Sequence, residues 1–174
     1  MLLQPDDQRD LLPGRHPAAP YYSTEQSVSA NYGGIGAVIA HEISHAFDPN
    51  GSKFDENGSL ANWWTQEDLE TFNALSQAMV EEFDGLSCDG ATVNGLLTVT
   101  ENVADAGGLS CSLEALKQEE DADLEAFFTN WATIWRSKST PEYAAMAATM
   151  DVHAPSKLRA NIQLQNIDEF YTTF

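Results

Sequence analysis

Apolar side chains recur with helical spacing over much of this chain, which predicts a mainly α-helical protein. The first such stretch runs from about Ser27 to Phe47, and its apolar positions surround most of the helix. They are Ile35, Val38, Ile39, Ile43 and Phe47. A helix that is apolar on most sides is expected to be buried, so this segment is predicted to lie inside the fold.

Two further stripes of apolar residues predict helices. One begins after Thr65, which with Asp68 three residues later is suited to cap the first turn, and it ends near Phe83. Its apolar members are Leu69, Phe72, Leu75, Met79 and Phe83. The other stripe consists of Leu124, Phe127, Phe128, Trp131 and Trp135. This second stripe lies on one side of its helix, so that side is expected to face the core.

Shorter elements account for the rest of the chain. Helices are predicted from roughly Thr100 to Gln118, from Pro141 to about Met150 with Thr140 as the N-terminal cap, and in one or two pieces after Ser156. VNGLLTV, residues 93–99, is the only strand candidate. Residues 1–20 carry four prolines and no periodicity, so they are predicted to be irregular, and the folded domain is predicted to follow over 21–174.

Composition narrows the class of protein. The 174 residues suffice for one domain, and a net charge of −19 argues against nucleic acid or an anionic membrane as a partner. No apolar run is long enough to span a bilayer, so no membrane insertion is expected in this segment. The acidic start lacks a signal-peptide core, and the two cysteines form no disulfide framework. A cytoplasmic location is therefore the expectation.

The segment HEISH, residues 41–45, contains the first candidate chemistry. Four residues of α-helix turn through about 400°, so His41 and His45 project from nearly the same side and can share one metal ion, usually zinc. Glu42 lies about 100° round the helix, where a general base for metal-activated water is needed. A pentapeptide of this kind also arises by chance on an exposed helix, so it requires a second group of ligands.

Two downstream segments could supply that group. In ENVAD, Glu101 and Asp105 are also four residues apart, which suits one carboxylate that binds metal and one that orients a histidine. The mostly small and apolar sequence around them argues against a solvated pair of acids. In DVHAPSKLR, His153 follows Asp151 closely and precedes Arg159; taken alone, that histidine and arginine are more simply interpreted as surface residues.

Together these segments resemble the neprilysin family of zinc metallopeptidases, particularly its bacterial PepO-type endopeptidases. The resemblance rests on NYGGIGAVIAHEISHAFD, NGSLANWWT, VNGLLTVTENVADAGGL, PEY and DVHAPSKLRANIQLQNIDEFY, which follow one another in family order. It implies a zincin-like (gluzincin) catalytic domain with little or no sheet in this fragment. It also excludes the metzincins, because Gly51 stands where their third histidine would be.

The resemblance implies a role for each matched residue. The zinc ligands, for one Zn²⁺ per chain, would be His41, His45 and Glu101. Glu42 would be the general base, Asp105 and Asp48 would orient the two zinc histidines, and His153, oriented by Asp151, would stabilise the oxyanion. Arg159 would bind a substrate carbonyl, and the pocket for the residue after the scissile bond would be lined by Tyr21, Val38 and Trp135. The implied activity is hydrolysis of internal peptide bonds in oligopeptides, with a preference for an apolar residue at that pocket.

The sequence departs from the family in its extent. The family's large upstream helical domain, which limits substrates to oligopeptides, and its Asn-Ala motif that grips the substrate backbone are not found in this sequence. The segment that follows Phe174 in the family is also missing, so a truncated domain is expected. The alternative to an endopeptidase is therefore a fragment that binds zinc but lacks catalysis, and that associates through exposed apolar surface.

Overall fold

Helices account for most of the 18–174 region, which is the part of the chain that the computed structural model describes. In chain order they are α1 (Val28–Asn31), α2 (Ala37–Ser44), α3 (Gln66–Phe83), α4 (Gly95–Leu116), α5 (Leu124–Ile134), α6 (Pro141–Met150), α7 (Ser156–Gln163) and α8 (Asp168–Thr173). Short 3₁₀ turns lie at His45–Phe47, Gly51–Lys53 and Leu164–Asn166. The mainly α prediction is confirmed, whereas the irregular segment predicted for residues 1–20 lies outside the described residues up to residue 17.

The helix predicted from about Ser27 to Phe47 forms, but it is not buried as predicted. A π-helical turn, Tyr32–Gly36, joins α1 to α2 and makes one helical path that continues into the 3₁₀ turn. Ile39, Ile43 and Phe47 are 52%, 64% and 57% exposed. The reason is that α4 covers only the side of α2 that carries its two buried residues, and the apolar positions extend beyond that side.

The strand predicted at residues 93–99 is wrong. Asn94 caps α4 instead, since its side-chain oxygen accepts a hydrogen bond from the Leu97 N–H at 3.1 Å. The helix therefore begins at Gly95, upstream of the predicted start. An N-terminal cap of this kind outweighs the weak strand preference of the local sequence. Within the described residues, the sheet is a two-stranded antiparallel hairpin, β1 (Ser87–Cys88) with β2 (Ala91–Thr92).

The main core lies between α4 and α5. Its fully buried aromatic residues are Phe127, Phe128 and Trp131, which all belong to the apolar stripe predicted for α5. The predicted caps form as well, because Thr65 accepts a hydrogen bond from the Asp68 N–H and Thr140 accepts one from the Tyr143 N–H. No described helix is long and apolar enough to cross a membrane. This core fixes α4, the helix that carries the candidate carboxylates.

Candidate metal centre

Helices α2 and α4 cross in close contact because two glycines of α4 face α2. A Cβ at Gly108 would lie 2.6 Å from the His41 backbone nitrogen, and a Cβ at Gly107 would lie 2.5 Å from Ser44 Oγ. Only glycine allows a backbone to come this near to another helix. The crossing therefore sets Glu101 and the following turn of α4 beside the histidines of α2.

Replacing Gly108 by alanine is expected to lower the stability of the protein, although alanine favours a helix over glycine by about 1 kcal/mol. The new Cβ would lie 2.6 and 2.7 Å from backbone atoms of α2, which cannot rotate away. Overpacking of this kind costs about 1–3 kcal/mol and would move Glu101 away from the histidines. Thermal denaturation and a zinc titration measure the two effects.

Gly107→Ala is the matched comparison for that substitution. Its new Cβ would meet the side chain of Ser44 rather than backbone, so a smaller loss of stability is expected. A melting temperature that rises in Gly108→Ala, as helix propensity alone would require, would show that the two helices do not depend on this close contact.

Each histidine of HEISH is oriented by a buried aspartate. His41 Nδ1 lies 2.8 Å from Asp105 Oδ1, and His45 Nδ1 lies 2.7 Å from Asp48 Oδ2. The other oxygen of Asp48 accepts hydrogen bonds from the backbone N–H groups of Asn50 and Gly51, which fix its carboxylate. An imidazole that donates its Nδ1–H to a carboxylate presents the lone pair of Nε2 on its other side.

The two Nε2 atoms converge on one carboxylate oxygen from α4. Glu101 Oε2 lies 3.3 Å from His41 Nε2 and 3.5 Å from His45 Nε2. This oxygen is buried, and no donor among the described residues meets hydrogen-bond geometry with it. Neutral imidazoles would therefore turn two lone pairs towards a carboxylate, an arrangement that a cation between them satisfies. Two imidazole nitrogens and one carboxylate oxygen fit zinc, which would keep a further coordination position open.

The same charges shift the pKa values of the groups at this site. The carboxylates of Asp48 and Glu101 raise the pKa of His45 to about 10. Burial would raise the pKa of Glu101, but the imidazoles of His153, His41 and His45 outweigh it and hold that pKa well below its usual range. His41, His45 and Glu101 together form a cage of metal-binding groups. This cage therefore accommodates positive charge, either as protons or as a metal ion that displaces them.

Asp105 is held from its other side by Arg159, which sequence reasoning did not connect with it. The guanidinium donates two hydrogen bonds, from Nε to Oδ2 and from Nη2 to Oδ1, both at 2.7 Å. Although burial would raise the pKa of Asp105, Arg159 and His41 lower it. The guanidinium carbon also stacks on Trp135, 3.8 Å from the ring centroid. No local spacing predicts a contact across 54 residues.

A third imidazole, that of His153, approaches the same carboxylate oxygen. Its Nε2 lies 3.1 Å from Glu101 Oε2, and its Nδ1 lies 2.8 Å from Asp151 Oδ1. The His153 side chain is 42% exposed, so it borders solvent at the open side of the cage. The neighbouring Glu101 carboxylate raises the pKa of His153, and burial only partly opposes this effect.

The remaining candidates lie on the elements around the cage. Glu42 is half-buried on α2, with no hydrogen-bond partner for its carboxylate among the described residues. Val38 and Trp135 are half-buried and pack against the main core cluster. Tyr21 is 38% exposed, and its backbone carbonyl accepts a hydrogen bond from the Ile35 N–H at 2.7 Å.

The chain that carries these residues matches a known protein family. The family model described as "Peptidase family M13" matches residues 4–174. The chain belongs to peptidase family M13. The resemblance to neprilysin-like peptidases is thereby confirmed, and the match begins upstream of the motifs that indicated it.

Individual M13 relatives agree with this assignment. The "Neutral endopeptidase" of Lactococcus lactis is 53% identical over 170 residues, which cover 98% of this chain and 27% of the relative. Human "Neprilysin" is 40% identical over 171 residues, which cover 89% of this chain and 23% of the relative. This chain thus spans about a quarter of the length of the M13 relatives it matches.

Solved M13-type structures share the fold. The crystal structure of PepO from Lactobacillus rhamnosis HN001 superposes with a TM-score of 0.87 at 46% identity, covering 91% of this chain and 25% of that one. The zinc metalloprotease Zmp1 of Mycobacterium tuberculosis, solved with an inhibitor, gives a TM-score of 0.83 at 35% identity, covering 90% and 26%. The predicted zincin-type, mainly helical class is confirmed.

Proposed function

We propose that this chain carries the zinc site of an endopeptidase that hydrolyses internal peptide bonds of oligopeptides, with His41, His45 and Glu101 as the ligands. The observation that carries the proposal is the convergence of two aspartate-oriented imidazoles on the buried Glu101 Oε2. Zinc bound there would polarise the scissile carbonyl and lower the pKa of water to about 7.

Carboxylates of the protein would transfer the protons and fix the tautomers of the histidines. Glu42, half-buried beside His41, would accept the proton of the attacking water and deliver it to the leaving amine. Asp105 and Asp48 would keep the imidazoles in the tautomer that binds metal. No residue would need to form a covalent intermediate.

Two cationic side chains would hold the substrate. His153, with its Nδ1 fixed by Asp151, would donate from Nε2 to the developing oxyanion. Arg159 uses Nε and Nη2 for Asp105, which leaves Nη1 to bind a substrate carbonyl. Tyr21, Val38 and Trp135 would line the pocket for an apolar residue after the scissile bond.

A second candidate is a chain that binds zinc without hydrolysis, as an incomplete part of a longer peptidase. It is favoured by the exposure of Ile39, Ile43 and Phe47 on the site helix, and by coverage of only about a quarter of the M13 relatives. These observations point to missing partners of α2 rather than to a damaged zinc cage.

One experiment separates the two candidates. We expect the purified chain to contain one zinc ion by elemental analysis, and to cleave a quenched fluorescent peptide library in a way that a chelator abolishes and added zinc restores. Zinc without cleavage would support the second candidate. A chain that retains no zinc after dialysis would reject both.

A further inference from the structure

The π-helical turn Tyr32–Gly36 and the residues close to it are tied to other parts of the chain by hydrogen bonds. The side-chain amide of Asn130, in α5, donates to the Pro20 carbonyl at 2.9 Å and to the Ala30 carbonyl at 2.6 Å. The Ile35 N–H, inside the turn, donates to the Tyr21 carbonyl at 2.7 Å. Such turns are rare and often occur at functional sites.

These bonds fix two consecutive carbonyls, those of Pro20 and Tyr21. Asn130, which is 8% exposed, holds the first, and the π-helical turn holds the second. Gly34 makes the approach possible, because a Cβ there would lie 2.4 Å from the Tyr21 carbonyl oxygen and 2.7 Å from Asn130 Nδ2. The backbone of Tyr21 is therefore clamped between α5 and the turn.

Other hydrogen bonds hold the neighbouring segment independently of this clamp. Gln26 Nε2 also reaches the Pro20 carbonyl, at the longer distance of 3.3 Å. The Asn31 side chain pairs with both backbone groups of Ser23, at 3.0 and 2.9 Å. Losing the Asn130 amide would thus release Pro20 and Tyr21 locally, while the chain from Ser23 onward stays attached.

We propose that Asn130 is a positioning residue that fixes Tyr21 as a wall of the pocket for the residue after the scissile bond, and so sets the size of side chain the pocket prefers. The inference rests on the proposed function. Its support is that Val38 is the second residue of α2, which begins where the π-helical turn ends, and that Trp135 caps the C-terminal end of α5, the helix that contains Asn130. The clamp thus joins the elements that carry all three pocket candidates.

Asn130→Asp is the variant that tests the amide itself. Aspartate has nearly the same shape, but it has no N–H donor and would turn a negative charge towards two carbonyl oxygens. Gly34→Ala disturbs the same segment from the π-helical turn, because its Cβ would push the Tyr21 carbonyl away. Both variants should displace Tyr21 without touching a metal ligand.

Ser112→Ala is the matched control. Ser112 is 3% exposed, and its hydroxyl donates to the Tyr32 carbonyl at 2.7 Å, so it ties the same turn to α4. Its removal loosens the turn by one hydrogen bond but leaves the bonds of Asn130 in place. An effect that comes from general loosening of the turn would therefore be seen in both Asn130→Asp and Ser112→Ala. An effect that comes from the release of Tyr21 would be seen in Asn130→Asp but not in Ser112→Ala.

The measurement is the binding of two zinc-chelating peptide hydroxamates, which differ only in a benzyl or a methyl side chain at the pocket position, to the zinc-loaded chain. We expect the natural chain to prefer the benzyl compound by about tenfold or more, and Asn130→Asp to lose most of that preference. Zinc affinity should stay unchanged, and Ser112→Ala should keep the preference. Hydrogen exchange at the Ile35 amide should accelerate in Asn130→Asp and in Gly34→Ala, but not in Ser112→Ala.

Three results would overturn the inference: no preference in the natural chain, an unchanged preference in Asn130→Asp, or an equal loss in Ser112→Ala. Should Asn130→Asp and Gly34→Ala both fail to fold, Tyr21→Ala decides, because that side chain is exposed and its removal should abolish the preference. A preference retained in Tyr21→Ala would refute the inference. Peptide hydrolysis is assayed separately. Its absence would reject the proposed function, whereas hydroxamate binding would still test whether Asn130 positions Tyr21.

Discussion

Glu42→Gln is expected to keep its zinc and lose nearly all peptide hydrolysis. Glutamine preserves the size of the side chain and the helix, and Glu42 is not one of the three residues whose atoms converge as metal ligands. What it removes is the group that takes a proton from water and returns it to the leaving amine. A positioned general base contributes about 10²–10⁴-fold to the rate, so turnover should fall within that range.

Glu67→Gln is the control for that substitution. It removes the same charge from an exposed position in the first turn of α3. With a net charge of −19, the chain should be insensitive to one surface charge, so Glu67→Gln should retain full activity and zinc. Rates of a fluorescent peptide assay and zinc content by elemental analysis are compared across the two variants. Full activity in Glu42→Gln would remove Glu42 from the mechanism.

Sequence periodicity was informative wherever one short segment contained the whole feature. HEISH placed His41 and His45 on one side of a helix, and ENVAD placed Glu101 and Asp105 one turn apart, because spacing within a helix depends only on its geometry. The fold class followed in the same way, since apolar stripes such as that of α5 are set by local pattern. Helix caps at Thr65 and Thr140 were predictable for the same reason.

Features that depend on contacts between distant segments were not predictable from local pattern. Burial of α2 was overestimated, because the sequence shows that Ile39 and Ile43 are apolar but not whether a partner covers them. The cap at Asn94 is different, because it is local: its side chain binds the Leu97 N–H three residues later, and α4 forms where a strand was the candidate. The glycines before HEISH gave no local sign of the hydrogen bonds made around the π-helical turn. One of them runs from the Asn130 side chain, far along the sequence, to the Ala30 carbonyl just before the turn.

The ion pair between Asp105 and Arg159 is expected to affect both the stability of the fold and the affinity for zinc. Asp105 is 1% exposed and Arg159 is 8% exposed, so neither charge is solvated well enough to stand alone. Asp105→Ala would leave the guanidinium buried without its carboxylate, and breaking a buried ion pair in this way costs about 3–5 kcal/mol. It would also remove the acceptor for His41 Nδ1–H, which should weaken zinc binding by about 10–100-fold.

The double variant Asp105→Leu/Arg159→Met separates these two effects. If the lost stability comes from an unpaired buried charge, replacing both partners by apolar side chains should recover most of it. Zinc affinity should nevertheless stay low, because His41 Nδ1–H still lacks its acceptor. Urea denaturation and zinc titration of the single and double variants measure the two quantities. A double variant as unstable as Asp105→Ala would place the cost in packing rather than in charge, and natural zinc affinity in either variant would mean that Asp105 does not orient His41.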